Sequence, residues 1–281
     1  MQQDDRETID AVKTFTLASG QAQLCVSEAG AGEGLVCLHA GVADRRMWLA
    51  QQRSLSDHWR VVAYDRRGFG QTRGAPETFS HVGDLAALLD GLSLDRVVLM
   101  GCSQGGRIAI DTALAHPQRV RALVLVAAAI SGAPEMEGFS PALQARVDAL
   151  EAAEARGDID GVNELEAQFW LDGPEQPPGR VGGAVRELFL SMNGVALRAP
   201  SPGEAATPAS AWERLHELRV PTLVLWGPFD FQHLQDNMAH LVAQVPGAVG
   251  ERIAGTAHLP NLEQPARFDT LVRSFLDRLP R

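Results

Sequence analysis

The chain has 281 residues, 45% of them hydrophobic and 21% charged, with 25 lysines and arginines against 35 aspartates and glutamates. That length can bury a large core and suits one α/β domain with an insertion better than two full domains. A formal charge of −10 argues against nucleic acid, which needs a basic footprint, and no apolar run approaches the length of a membrane span.

At the N-terminus, Met1-Gln2-Gln3-Asp4-Asp5-Arg6-Glu7 is polar and acidic and lacks the apolar stretch of a secretory signal, so a cytoplasmic protein is expected. Three cysteines, Cys25, Cys37 and Cys102, leave one unpaired in any disulfide scheme, which agrees with free thiols in a reducing compartment. Strands are expected near 13–17, 22–28, 34–38 and 60–64, with a helix near 45–56. The third strand runs into Leu38-His39-Ala40-Gly41 and the fourth into Asp65-Arg66-Arg67-Gly68-Phe69-Gly70.

After a helix near 79–92 comes a short apolar strand near 96–100, then Gly101-Cys102-Ser103-Gln104-Gly105, then a helix near 104–115 that stops at His116-Pro117. A serine between glycines where a strand becomes a helix is a nucleophile elbow. The turn is too sharp for side chains beside the serine, and it presents Ser103 Oγ above the sheet, with the Gln104 N–H at the helix N-terminus.

A sixth strand is expected near 121–127, and there the alternation of strand and helix stops. Residues 131–210 mix helix-like stretches, 141–155 and 162–170, with Pro/Gly-rich ones, 172–183 and 198–208. A structureless loop of that length does not suit a compact domain. The segment is therefore predicted to be a helical cap over the active site, dividing the chain into a core of residues 1–130 and 211–281 and a cap of residues 131–210. A strand near 220–226 then leads into Gly227-Pro228-Phe229-Asp230. A helix near 233–245, a strand near 248–254, the loop Gly255-Thr256-Ala257-His258-Leu259-Pro260 and a helix near 262–278 complete the chain.

Ser103, Asp230 and His258 thus fall on three loops at strand ends. A serine hydroxyl is a poor nucleophile until a base takes its proton, and histidine is the side chain whose ordinary pKa lies near neutrality. An aspartate on the other ring nitrogen fixes the tautomer and stabilises the imidazolium. The bland reading of Asp230 is a cap for the helix beginning near His233. Cys102, at an x position of the elbow, reads as a packing residue. His39 reads as support for the loop after the third strand and His116 as a helix-end residue. His58, His81, His216, His233 and His240 read as surface or capping residues, and no metal-like cluster with cysteine emerges.

On these motifs the chain resembles the α/β-hydrolase fold superfamily over nearly its whole length, in its serine esterase and lactonase branch. The resemblance implies an eight-stranded, mostly parallel sheet with helices on both faces and the helical cap inserted after strand 6. Leu38-His39-Ala40-Gly41 is similar to the family's His-Gly-X oxyanion loop, with Ala40 in place of the usual glycine. By that match Gly41 N–H joins Gln104 N–H as oxyanion donor, and Val42 stays open because the loop register is not fixed. Asp65 to Gly70 is similar to the family's Asp-x-x-Gly-x-Gly loop, and His258 to Pro265 to its histidine loop and last helix. Some members carry their acid after the sixth strand, where Ala127-Ala128-Ala129-Ile130 offers no carboxylate. Haloalkane dehalogenases and epoxide hydrolases have aspartate at the elbow, and carbon–carbon hydrolases usually have an aromatic residue where this chain has Leu259.

The activity implied is hydrolysis of a small-molecule carboxylic ester or lactone through an acyl-enzyme on Ser103, with no metal or cofactor. Macrocyclic lactones such as macrolide antibiotics fall within that range. A cofactor-free perhydrolase or haloperoxidase-like enzyme shares the triad, and a catalytically silent ligand-binding receptor is the alternative outside enzymology. Met47, Trp48, Phe169 and Trp170 are candidate pocket residues, with Phe189, Leu190 and Met192 either joining them or simply packing the cap on the core. Residues 131–210 hold thirteen acids against five arginines. If some of them rim the entrance they favour a cationic or neutral ester; otherwise they solvate the surface.

Overall fold

The computed structural model describes residues 12–134 and 138–280, so the polar N-terminal stretch, Glu135 and Glu137 lie outside the described residues. The strands are β1 (Lys13–Ser19), β2 (Ala22–Ala29), β3 (Gly34–Leu38), β4 (Arg60–Tyr64), β5 (Arg73–Gly74), β6 (Val97–Cys102), β7 (Val120–Val126), β8 (Thr222–Trp226) and β9 (Val249–Arg252). They form one sheet in the order β1-β2-β4-β3-β6-β7-β8-β9, with β5 on β2. The β1–β2 and β2–β4 pairs are antiparallel, and every pair from β4 onward is parallel. Eight of the strands stand where the apolar runs predict them. The ninth, β5, is two residues long and carries no periodicity to read. Because of it, the insertion follows the seventh strand of the chain and not the sixth.

The helices are α1 (Leu49–Leu55), α2 (His81–Gly91), α3 (Gln104–Ala115), α4 (Pro141–Ala155), α5 (Ile159–Ala167), α6 (Gly183–Leu197), α7 (Gln232–Gln244), α8 (Pro260–Glu263) and α9 (Pro265–Leu276). The expected single helix near 262–278 is broken between α8 and α9. Gln264 there has φ −138° and ψ 65°, off the helical region as a residue before proline tends to be, and Pro265 has no N–H to continue the ladder.

Alternate residues of the central strands face two separate cores. Val36, Leu38 and Leu99 pack with Leu85 and Leu88 of α2, Ile108 of α3 and Met238 of α7. Leu35, Cys37, Val98 and Met100 pack on the other face with Leu55 of α1 and with Phe268, Val272, Phe275 and Leu276 of α9. The α9 set repeats at helical spacing, and each fully buried side chain of this kind contributes roughly 1.5–3 kcal/mol. All three cysteines are buried and free. Among the described residues no helix is long and apolar enough to cross a membrane.

Between β7 and β8 the chain leaves the sheet for α4, α5, a wide helical turn at Gln168–Asp172, and α6, with α5 packed against both α4 and α6. α6 is absent from the sequence reading because it follows a Pro/Gly-rich stretch and begins on Gly183. Ala167, Leu171, Phe189 and Met192 of this insertion enter the same core as Met47 and Trp48.

The elbow shows why its small residues are required. A Cβ on Gly101 would run into the Gly105 carbonyl, one on Gly105 into the Leu38 and His39 carbonyls, and one on Gly106 would sit 2.5 Å from Ala128 Cβ. These neighbours are mainly backbone and cannot step aside. Gly105→Ala is therefore expected to destabilise the protein by about 1–3 kcal/mol, as overpacking does, lowering the denaturant midpoint at unchanged slope.

Candidate active site

Ser103 joins β6 to α3 at φ 52° and ψ −118°, one of three non-glycine residues at positive φ among the described residues. Such a conformation costs about 1–3 kcal/mol and persists only where the surroundings enforce it. Here they do so through the backbone. Ser103 N–H donates to Val126 O at 2.9 Å, and Ser103 O accepts from Arg107 N and Ala129 N, both at 3.0 Å. The first N–H groups of α3, beginning with Gln104, have no acceptor within the helix and face outward from its N-terminus.

Asp230 and His258 leave the C-terminal ends of β8 and β9 on loops that press together. A Cβ on Gly227 would strike the Thr256 and Ala257 carbonyls, and Phe229 N–H donates to Thr256 O at 3.0 Å. His258 Nδ1 is 2.7 Å from Asp230 Oδ2, and both residues are buried. The other carboxylate oxygen, Oδ1, accepts from Phe231 N–H at 2.8 Å. Phe231 is the N-cap of α7 and takes no side-chain capping bond, so Asp230 Oδ1 holds the residue before the helix without capping it. Next to Ser103, the Cys102 thiol lies 3.7 Å from the His258 carbonyl, which brings the histidine loop against the elbow. Burial, with Asp230 and Glu263 nearby, pushes that thiol well above its ordinary pKa, which suits a packing residue.

The histidine loop is tied down from below. Glu263 accepts from Ala257 N–H at 2.9 and 3.0 Å and pairs with Arg180 of the insertion. Burial raises its pKa against the pull of Arg180. Arg180 also donates to Leu171 O and Gly255 O, both at 2.8 Å, and so fastens the insertion to the loop carrying His258.

Gly41 lies opposite the elbow. A Cβ there would meet Gln104 Nε2 at 2.9 Å. The preceding carbonyl, Ala40 O, is 2.7 Å from His39 Nδ1 and accepts from Arg66 Nη2 at 3.1 Å and from Ala43 N–H at 3.3 Å. A trans peptide holds its C=O and N–H antiparallel, so donors gathered on Ala40 O turn Gly41 N–H the opposite way. Ala40 is not among the residues at positive φ, so its methyl replaces the usual glycine hydrogen without backbone strain. His39 Nε2 accepts from Arg66 N–H at 3.0 Å, as a neutral ring protonated on Nδ1 can. Burial and then the Arg66 charge hold its pKa well below the usual histidine range, in keeping with the supporting role expected of it.

Arg66 itself was quoted in a motif but given no role. It is 2% exposed, donates from Nη1 to Gln104 Oε1 at 3.0 Å, lies 4.5 Å over the Phe69 ring, and has no carboxylate partner among the described residues. Burial lowers its pKa to about 10. Its neighbour Arg67, by contrast, is matched by Asp84 and Glu77. His81, expected at the surface, is instead half-buried, and its pKa is pushed down to about 3 by burial and by Arg66, Arg107 and Arg67.

The four candidate pocket residues divide. Met47 and Trp48 are fully buried. Met47 Sδ accepts from Ala40 N–H, and the Trp48 ring lies 6.3 Å from Phe268, so both are packed into the core and not exposed to a pocket. Phe169 packs into a small cluster with Leu143 and Phe231. Of the four, Trp170 alone stands against His258, its ring 4.7 Å away and 5.2 Å from Phe231.

The acids of the insertion divide as well, with Asp148, Glu151, Glu154, Glu175, Glu187 and Glu204 having no cationic partner among the described residues. Asp172 and Glu164 pair with Arg186, and Asp160 pairs with Arg198. Asp172 also accepts from Gly179 and Val181 N–H groups, as a buried linchpin of the turn.

Residues 34–265 match the alpha/beta hydrolase fold family. The chain is 28% identical over 271 residues to a 2-hydroxy-6-oxo-2,4-heptadienoate hydrolase of Pseudomonas putida, covering 92% of this chain and 94% of that protein. Among solved structures, a thermophilic esterase from Thermogutta terrifontis is similar at 28% identity with a TM-score of 0.71, over 96% of this chain and 99% of the other. An enol-lactonase from Burkholderia xenovorans LB400 shares the fold at 22% identity and a TM-score of 0.72, over 95% and 100% of the two chains. With the matched segment spanning the parallel part of the sheet, the elbow and the loops of Asp230 and His258, the protein belongs to the alpha/beta hydrolase fold family.

Proposed function

We propose that the protein is a serine hydrolase cleaving a small-molecule carboxylic ester or lactone, with Ser103 as nucleophile, His258 as base and Asp230 as the acid that orients it. The observation that carries the reading is the buried Asp230–His258 hydrogen bond on a loop touching the strained elbow at Cys102. Ser103 Oγ attacks the acyl carbon as His258 takes its proton. The oxyanion is received by Gly41 and Gln104 N–H, and His258 returns the proton to the leaving alkoxide. Water then attacks the acyl-enzyme under the same base, releasing the acid and restoring the serine. Residues 131–210 serve as the cap, with Trp170 forming the wall next to His258. Macrocyclic lactones, macrolide antibiotics included, belong among the esters to be screened.

Arg66 fits this reading as a charge held behind the oxyanion loop. Buried and without an anion of its own, it polarises the Ala40–Gly41 peptide and fixes Gln104, adding positive potential where negative charge develops. Arg66→Met is expected to leave the melting temperature unchanged or raised, since an unpaired buried charge is removed. It should lower kcat about tenfold with little change in KM, as lost transition-state stabilisation does. An equal loss in stability and activity would make the residue merely structural.

The reading is tested by a fluorophosphonate probe with mass mapping, followed by a hydrolysis screen from p-nitrophenyl esters to macrocyclic lactones. Rapid covalent labelling at Ser103 together with turnover is expected. Labelling without turnover of any ester would favour a perhydrolase-type reaction, and no labelling a silent receptor.

A further inference from the structure

A cavity of about 310 Å³ lies between the oxyanion loop and the insertion, lined by Gly41, Gly68 and Phe69 on one side and by Glu166, Asn193 and Ala196 on the other. Its volume is at the small end of the range for ligand pockets. Glu166 is unusual among the charged residues around it. Arg67, also on the wall, is neutralised by Asp84 and Glu77. Glu166 has no cationic partner among the described residues, and its one recorded hydrogen bond is from Asn193 Nδ2 to Oε2. Asn193 is itself held, since the same Nδ2 donates to Asn163 Oδ1 at 3.0 Å while Asn163 Nδ2 donates to Leu190 O at 2.9 Å. This relay fixes which carboxylate oxygen is occupied and leaves Oε1 without a partner among the described residues.

Burial opposes a negative charge there, while the Asn193 hydrogen bond favours it. The residue is part-buried, so its charge is poorly hydrated, and burial together with Glu154 raises its pKa. Glu164 and Asp172 share Arg186, whereas Glu166 has no arginine among the described residues. A carboxylate oriented by an asparagine relay, unpaired, and facing a cavity bounded by Gly41 lacks a counter-ion that the protein does not supply.

We propose that this cavity is a subsite for a protonated amine or quaternary ammonium group of the substrate, with Glu166 as its counter-ion. The inference rests on the reading of Gly41 as oxyanion donor, which places the cationic group near the carbonyl under attack. It also assigns the selectivity for positive charge to one part-buried carboxylate beside Gly41 and not to the acidic surface of the insertion as a whole.

The test compares p-nitrophenyl esters of a trimethylammonio-alkanoate and of its uncharged tert-butyl isostere. Wild type is expected to favour the cationic ester by about tenfold or more in kcat/KM, the factor that 1.4 kcal/mol of charge recognition gives. The preference should survive added salt, because a part-buried pair is screened weakly. In Glu166→Gln, which keeps an acceptor for Asn193, the ratio should fall toward one. A wild-type ratio near one, or a preference that Glu166→Gln leaves intact, overturns the proposal. A second arm needs no turnover: calorimetry of benzyltrimethylammonium with Ser103→Ala and with the Ser103→Ala, Glu166→Gln double variant. Binding lost in the double variant supports the subsite even if neither ester is hydrolysed, a result that would sink the esterase reading alone. No binding to Ser103→Ala overturns the subsite itself.

Discussion

Ser103→Ala is expected to lower kcat by about 10⁴-fold or more while leaving the fold intact. The elbow is held by the Ser103 backbone, through Val126 O, Arg107 N and Ala129 N, and those bonds do not involve the side chain. Alanine also bears the positive φ at the same cost as serine, since both carry a Cβ. Stability and function should therefore separate cleanly, with an unchanged thermal unfolding curve beside the loss of turnover and of fluorophosphonate labelling. Near-normal turnover of an ester by this variant would place the nucleophile elsewhere.

Asp230→Asn should cost on the order of 10⁴-fold in kcat, again with the fold retained. The two oxygens of Asp230 have different partners, Phe231 N–H on Oδ1 and His258 on Oδ2. An asparagine that keeps its oxygen on Phe231 must turn its amide N–H₂ toward His258 Nδ1. That nitrogen then accepts, the ring proton moves to Nε2, and the base has no lone pair for the serine proton. A variant with kcat close to wild type would show that another group orients the histidine.

How much was legible in the sequence follows the range of the forces involved. The elbow was readable because its constraints are local: Gly101 must clear the Gly105 carbonyl, four residues away, and the strand before it is a single apolar run. The strands were readable for the same reason, down to the two-residue β5, which has too few residues to alternate. Asp230 and His258 were readable as loop residues after strands, although their 2.7 Å contact joins loops far apart in sequence. What stayed hidden depends on which way a side chain turns once distant segments meet. Met47 and Trp48 were expected to face a ligand and instead are buried in the core. His81 looked like an exposed helix start but lies among three arginines. Arg66 and Arg67 are adjacent and identical in type, yet one is neutralised and the other is not, a difference set by Asp84 and Glu77.

The parallel half of the sheet has a consequence for how the protein comes into being. Each parallel pair from β4 to β9 needs a long crossover before its strands can meet, which makes these contacts non-local and slow to form. Ser103 follows β6, Asp230 follows β8 and His258 follows β9, the last strand at that edge. A growing or refolding chain can thus complete its elbow long before it owns a base. On a ribosome, Ser103, Asp230 and His258 can be brought together only once the final fifth of the chain has emerged.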